Sequence, residues 1–164
     1  MATYHLRRKE KAIEDRKEIH AILRDQKYLT LAMCRDEEPY LVSLNYGWDQ
    51  MEGCFYFHFA DAGKKIDFLR ANPKVWGQVV EDRGYTVGEC EHSFRCVMFW
   101  GEVEFIEELE GKRKALLAMI KHAEGELDEK RRAMISQSGL EKVLVGRLKP
   151  EGMTGKESPA KKKD

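Results

Sequence analysis

The spacing of apolar residues changes from a helical to a strand-like period early in the chain. Residues 9–26 carry apolar side chains on one stripe and charges elsewhere, which predicts an N-terminal helix. After it, apolar and polar positions alternate over 28–35, 40–48 and 54–59, and turn residues separate these segments. Their short connections predict an antiparallel meander.

The rest of the chain has fewer helices between strands than a parallel sheet would need. A short helix is predicted over 63–71, because Asn72 and Pro73 end its pattern. Further strands are predicted over 74–81, 94–106 and 140–148, a loop over 83–92, and helices over 107–125 and 126–138. The single helix between the third and fourth strands favours a small closed barrel, since a parallel sheet needs a helix after nearly every strand.

The length of 164 residues favours one domain with a single core. We predict that residues 1–149 form this domain, with the N-terminal helix over about 9–26. From Pro150 on, Gly, Ser, Pro and Lys dominate the sequence. Residues 150–164 are therefore expected to form a Lys-rich, partly mobile tail.

The charge balance excludes some classes of partner. Lys and Arg together number 29, as do Asp and Glu, so the formal net charge is zero. A general nucleic-acid binder would carry a basic excess, and no apolar run is long enough to span a bilayer. The charged N-terminus has no apolar signal core. We therefore expect a cytoplasmic protein without nucleic-acid or membrane partners, and its four cysteines fit that compartment as free thiols.

Sequence motifs for common cofactors are missing. There is no GxGxxG, no P-loop and no HExxH. A metal site could be composed from Cys90, His92 and Cys96, with Cys54 and His58 added, but the spacing matches no standard zinc pattern. We expect the cysteines to be small apolar side chains that fill space on the strands, and we predict no bound metal.

One face of the second predicted strand is unusually polar for a core strand. Leu41, Ser43, Asn45 and Gly47 share it by alternation. Such a face suits hydrogen bonding to a planar polar ligand, and a glycine would let the ligand approach the backbone. An ordinary solvent-facing side of a sheet explains the same pattern, and on this strand alone that interpretation is favoured.

Four other residues could contact an anion or a cofactor. Lys64 and Lys65 open the helix after the third strand, where free N–H groups and the helix dipole attract a phosphate. Two solvated lysines are the alternative. Arg95 on the fifth strand either holds a fixed anion or pairs with a surface carboxylate. His58 lies in an aromatic strand, and by itself it is more typical of a hydrogen-bonded structural residue.

Taken together and in order, these segments resemble the pyridoxamine 5'-phosphate oxidase-like FMN-binding split-barrel superfamily. The similarity is greatest to the branch that includes the nitroimidazole-resistance proteins. The resemblance covers roughly residues 7 to 156 and rests on order and spacing rather than on one motif. Its segments are Arg7-Arg8-Lys9-Glu10, 40–47, 55–60, Gly63-Lys64-Lys65-Ile66, Asn72-Pro73-Lys74-Val75, Phe94-Arg95-Cys96-Val97 with Gly101, and Met153-Thr154-Gly155-Lys156.

The resemblance implies a mainly β fold with flanking helices, namely a six-stranded antiparallel Greek-key split barrel. It also implies a homodimer with FMN at the interface, the flavin ring along the second and third strands, and the phosphate at a lysine. His58 is the implied catalytic residue. The implied cofactor-binding residues are Val42, Ser43, Leu44, Asn45, His58, Phe59, Lys64, Lys65 and Arg95.

Two departures narrow the expected activity. Cys96 stands where the oxidases of this superfamily have glutamine, and no Trp or Arg-rich substrate motif follows Leu148. We therefore do not expect pyridoxamine phosphate as the substrate. The main hypothesis is an FMN-dependent oxidoreductase that takes electrons from a reduced nicotinamide and passes them to a small molecule, with nitro compounds as candidates. A haem-binding protein with His58 as axial ligand and a non-catalytic flavin-binding protein are the alternatives.

Overall fold

The computed structural model describes residues 6–159, whose strands pair antiparallel throughout. The strands are β1 Ala12–Ile13, β2 Tyr28–Arg35, β3 Glu38–Asn45, β4 Gly47–Asp49, β5 Cys54–Phe59, β6 Lys74–Thr86, β7 Glu91–Ile106, β8 Leu144–Leu148 and β9 Gly152–Ser158. The helices are α1 Arg16–Asp25, α2 Lys64–Ala71, α3 Leu109–Glu124, α4 Glu129–Ala133 and α5 Gln137–Lys142, and a 3-10 turn covers Lys9–Lys11. Within 6–159, no helix is long and apolar enough to cross a membrane.

The sheet is a barrel that stays open along one line. Its strands follow the order β3-β2-β6-β7-β8-β5-β4, so β3 and β4 lie at the two ends of the path. These two strands are consecutive in sequence and only Tyr46 separates them. The predicted second strand is therefore one bent strand, whose first half pairs with β2 and whose second half pairs with β5. The predicted split barrel is confirmed, and β1 and β9 add to its six strands.

Aromatic side chains fill the barrel because every second residue of β5, from Phe55 to Phe59, is a phenylalanine. Phe55, Phe57 and Phe59 point inward, and Phe99 of β7 stacks on Phe55 with ring centroids 4.2 Å apart. Helix α1 adds Ile22 and Leu23, which are fully buried. Burying side chains of this size contributes roughly 1.5–3 kcal/mol each, so this layer accounts for a large share of the stability of the fold.

The N-terminal helix is shorter than predicted. It begins at Arg16, because the carboxylate of Asp15 accepts a hydrogen bond from the backbone N–H of Lys17 and caps the helix. The preceding Lys9–Lys11 forms a 3-10 turn, and Ala12–Ile13 pairs with β9. The helical spacing of apolar residues therefore predicted a helix that starts at residue 9, seven residues before the observed start at Arg16.

The predicted loop over 83–92 is wrong for most of its length. Strands β6 and β7 continue through it as one long hairpin, with a register shift between Asp82 and Tyr85. Gly84 and Gly88 both have positive φ, 93° and 88°, so they mark a bulge and a turn rather than an open loop. The predicted helix over 126–138 is also replaced, by the two short helices α4 and α5.

The expected mobile tail from Pro150 is wrong for residues 152–158. They form β9, which pairs with β7 from Phe94↔Ser158 to Trp100↔Gly152. Thr154 and Ser158 are buried there. The Gly and Ser content that suggested mobility has a packing reason, because a Cβ at Gly152 would lie 2.0 Å from the Trp100 ring. The last five residues of the predicted tail lie outside the described residues.

Candidate functional site

The opening of the barrel lies between β3 and β5. Strand β4 pairs with β5 in the register Gly47↔Tyr56, and continuing that register would place Asn45 opposite His58. The chain diverges there instead, and β3 turns away to pair with β2. Among the described strands, no strand pairs with this side of β3. The result is a wedge between two strand edges, which we call the split cleft, with Asn45 and His58 at its narrow end.

A cavity of about 400 Å³ occupies the narrow end of the split cleft. Asn45 and His58, two of the predicted site residues, both line it. Helix α3 supplies the apolar wall through Leu116, Met119 and Ile120. A mostly apolar cavity of this size with a few polar groups is typical of a small-molecule site.

The close approach of α3 to the barrel depends on Gly47. A Cβ at this position would lie 2.8 Å from the backbone nitrogen of Met119 and 2.9 Å from its Cα. The sequence interpretation gave this glycine a role in close approach to a ligand. The structure shows that the neighbour is the helix, which packs on Tyr56 and Val145 through Ala115 and Met119.

His122 holds the end of α3 in place, and sequence reasoning gave it no role. Its Nε2 lies 2.7 Å from the carbonyl oxygen of Gln26, and its Nδ1 accepts the backbone N–H of Trp48 at 3.4 Å. This pair of partners requires the neutral imidazole with the proton on Nε2. Burial lowers the pKa of His122 and favours the same form, against the opposing effect of the Gln26 carbonyl.

Lys27 and Asn45 extend this hydrogen-bonded rim. The Asn45 Nδ2 donates to the Lys27 carbonyl at 3.3 Å, and the Lys27 ammonium donates to the His122 carbonyl at 2.5 Å. Both residues and His122 line the cavity. The polar rim is therefore built from the link between α1 and β2 together with the end of α3, which no short sequence motif connects.

The two lysines that open α2 differ in their partners. The Lys64 ammonium pairs with the Glu38 carboxylate at 2.5 Å and lies 5.1 Å from the centroid of the Tyr40 ring. Lys65 lies 5.2 Å from the centroid of the Phe59 ring and forms no ion pair with any described carboxylate. Burial lowers the pKa of the Lys65 ammonium. Lys65 is therefore the cation that a bound anion could still satisfy.

Three predicted residues can contribute only backbone groups to the cleft. Val42 and Leu44 pack against the core, and the Phe59 side chain is 4% exposed inside the barrel. Ser43 is exposed, on the opposite face of β3 from these side chains. The predicted alternation along β3 is thus confirmed.

Arg95 lies away from the cavity. Its guanidinium forms an ion pair with Glu81, its register partner on β6, and lies 3.8 Å from Glu18. The hydrogen bond to Glu81 raises the pKa of Arg95. Ile106, eleven positions further along β7, shares the β8 partner Val145 with His58. In the single chain Arg95 therefore forms a structural ion pair between β6 and β7, away from the predicted site.

Within residues 6–159, no three His, Cys, Asp or Glu side chains gather as metal ligands. His92, one residue of the alternative metal site, contacts Asp82 at 2.6 Å instead. Cys54 and Cys96 are buried, and burial raises the pKa of both thiols.

Comparison with known proteins identifies the family. The family model described as pyridoxamine 5'-phosphate oxidase matches residues 15–157, from the start of α1 to the end of β9. The chain belongs to the pyridoxamine 5'-phosphate oxidase family. The match includes Asn45, His58, Lys65 and the whole of the split cleft.

Solved structures with the same fold superpose on most of the chain. A candidate 5-nitroimidazole antibiotic resistance protein from Bacteroides thetaiotaomicron is 28% identical, with a TM-score of 0.75, over 89% of this chain and 86% of that one. The FAD and haem binding protein of Mycobacterium smegmatis has a TM-score of 0.77 at 18% identity, over 94% and 76% of the two chains. The flavocytochrome Anf3 from Azotobacter vinelandii has a TM-score of 0.73 at 16% identity, over 94% and 72%. The last two share the fold.

An uncharacterised protein of Rhizobium meliloti (strain 1021) is 35% identical over 69 residues, which is 42% of this chain. The matched region spans 44% of that relative's length.

Proposed function

We propose that this protein binds FMN in the split cleft and works there as an oxidoreductase of a small molecule. The observation that carries the proposal is the cavity of the split cleft, which Asn45 and His58 line, together with Lys65 in the first turn of α2, which has no carboxylate partner among the described residues. In this proposal a reduced nicotinamide is the electron donor, and the protein is cytoplasmic.

The residues present fit a flavin nucleotide. A flavin ring is flat, apolar on its faces and polar along its edge, and α3 offers an apolar wall opposite the polar Asn45 and His58. The free edge of β3 offers unpaired backbone groups to the ring edge. Lys65 lies in the first turn of α2 and offers a partly desolvated cation for the phosphate. The names of the structural neighbours, one binding FAD and haem and another a flavocytochrome, support a flavin.

FMN would supply the hydride or electron transfer when bound, and the chain would supply binding, orientation and charge. Lys65 would place a positive charge beside the cofactor and favour its anionic reduced form. His58, exposed at the narrow end of the cavity, would position the acceptor or donate a proton to it, since an imidazole can act as a general acid. Leu116 and Met119 would limit the entry of water.

Replacing Lys65 by Gln should weaken FMN binding about ten-fold or more and leave riboflavin binding almost unchanged. The reason is that a charge-assisted hydrogen bond is worth about 1.5–3 kcal/mol and riboflavin lacks the phosphate. Quenching of flavin fluorescence on titration measures both affinities. Lys64→Gln is the matched control. Its expected effect is smaller because the Lys64 ammonium already forms an ion pair with Glu38. Equal losses for both ligands would place the phosphate elsewhere.

Replacing His58 by Gln should slow reduction of the acceptor at least ten-fold while FMN affinity stays within about two-fold of the parent, because glutamine cannot deliver a proton at neutral pH. Stopped-flow measurement of flavin reoxidation reports the rate, and fluorescence titration reports the affinity. A parental rate, or a loss of FMN, would show that this histidine is structural. A haem absorbance band in the purified protein, without a flavin band, would favour haem binding instead.

We also propose that two copies associate through the outer face of the sheet. Leu41, Trp76 and Val80 are exposed there to 65%, 47% and 46%, and Trp76 stacks on Trp100 at 4.9 Å. A contiguous apolar face of this kind is typical of an interface. Light scattering should give twice the chain mass of 19.1 kDa, and Trp76→Glu should shift the protein towards monomer. A monomeric parent protein at micromolar concentration with FMN bound would contradict this.

A further inference from the structure

A second concavity, outside the split cleft, is lined by positive side chains. It has a volume of about 480 Å³ and lies on the outer face of the sheet, where the N-terminal turn crosses β9. Its cations are Arg7, Arg8, Lys11 and Lys156, and Leu6 and Phe94 complete its lining. We call this set the basic pocket. It shares no lining residue with the cavity of the split cleft.

Three of these cations are held by the local structure around β9. Arg8 is the N-cap of the 3-10 turn, and its carbonyl accepts the backbone N–H of Lys11 at 3.1 Å. The Lys11 ammonium donates a hydrogen bond of 2.9 Å to the Ser158 hydroxyl. Lys156 lies in the middle of β9, with Ala12 on one side and Cys96 on the other. Lys156 is therefore positioned by strand pairing, and Lys11 by its contact with the same strand.

No carboxylate of residues 6–159 neutralises the basic pocket. The whole sequence has equal numbers of positive and negative residues, yet no Asp or Glu of the described part lines this pocket. Within residues 6–159 none of its four cations forms an ion pair, whereas Arg95 on the neighbouring β7 is paired with Glu81. Glu157 follows Lys156 directly but alternates to the other side of β9. Like charges held together in this way are unfavourable unless an anion binds among them.

We infer that the basic pocket binds the phosphate or diphosphate group of a soluble nucleotide-type ester. Two arginine forks and two ammonium groups match the oxygens of a phosphate, which arginine can bind through two parallel hydrogen bonds. The Phe94 ring lies 5.9 Å from the Lys156 ammonium. It gives the ligand's flat group an apolar surface beside the phosphate site. A volume of about 480 Å³ has room for one such ester.

Calorimetric titration of the full-length protein with sodium pyrophosphate, and then with adenosine diphosphate, tests this at low and at high salt. The parent protein should bind both, more weakly at high salt because the contacts are ionic. The double variant Arg8→Gln/Lys156→Gln should lose about ten-fold or more in affinity for each. Lys130→Gln/Lys142→Gln removes the same charge from exposed positions and should bind like the parent. Tighter binding of adenosine diphosphate than of pyrophosphate would indicate that the adenine base packs on the Phe94 ring.

A further variant separates this pocket from the proposed flavin site. Lys65→Gln should leave pyrophosphate binding unchanged, whatever it does to FMN. If the double variant unfolds, the exposed Arg7→Gln alone should still weaken pyrophosphate binding measurably. The inference is overturned if neither soluble phosphate binds at low salt, even when vesicles of anionic lipid do. It is also overturned if the control double variant loses as much affinity, or if Lys65→Gln abolishes pyrophosphate binding.

Discussion

Truncation after Lys149 should remove cooperative folding or lower the thermal midpoint by about 10 °C or more. The deletion removes β9, which supplies register pairs along β7 from Phe94 to Trp100 and is the only described partner of β1. It also uncovers the Phe99 and Trp100 side of the hairpin, where Met153 and Gly152 now lie. Domains are stable by only about 5–15 kcal/mol, and each kcal/mol shifts the midpoint of a chain of this size by about 2–4 °C.

The control for this truncation is deletion of residues 160–164 alone, which lie beyond β9. That shorter deletion removes no described strand or helix, so it should leave the thermal midpoint within about 1–2 °C of the parent. Calorimetry measures both variants. A stable, FMN-binding protein that ends at Lys149 would show that β9 is an accessory strand.

Replacing Gly47 by Val should destabilise the fold by about 1–3 kcal/mol or more and weaken FMN binding as well. The added side chain would meet the backbone of Met119 and Ala118, at 2.8 to 3.0 Å from the first carbon. Backbone cannot move aside as a flexible side chain can, so α3 must shift. Because α3 forms the apolar wall of the cavity, the shift should reach the ligand.

Urea denaturation gives the loss in the free energy of unfolding for Gly47→Val, and fluorescence titration gives the change in FMN affinity. The matched control is Gly139→Ala in α5, where the nearest atom is the Ser136 hydroxyl oxygen at 3.2 Å. That change should be neutral or slightly stabilising, because alanine favours a helix. If Gly47→Val unfolds at the parental urea concentration, α3 packs less tightly on β4 than the structure indicates.

The strand period predicted on which strands Asn45 and His58 lie, because that signal is local. Alternation alone favoured a solvent-facing side for Asn45 and a structural role for His58, and only the family resemblance named them as site residues. The bend at Tyr46 was missed, since an unbroken alternation through 40–48 contains no sign that the two halves pair with different strands.

Contacts between elements that are distant in the chain could not be predicted from the sequence. His122 meets Gln26 and Trp48 only after α3 docks on the barrel. The difference between Lys64 and Lys65 depends on Glu38, which is far away in the chain. Arg95 was considered equally suited to a ligand or a carboxylate, and only the hairpin register, which places Glu81 opposite it, favours the carboxylate.

The free edge of β3 affects how the protein behaves when no cofactor is bound. An unpaired strand edge is a template for intermolecular β-pairing and aggregation, and Leu41 is exposed on this one. Pro39 protects only its beginning, because proline has no N–H to donate. A cofactor in the split cleft would cover the remainder. Riboflavin supply during expression should therefore raise the yield of unaggregated protein, and stripping the cofactor should shorten its shelf life.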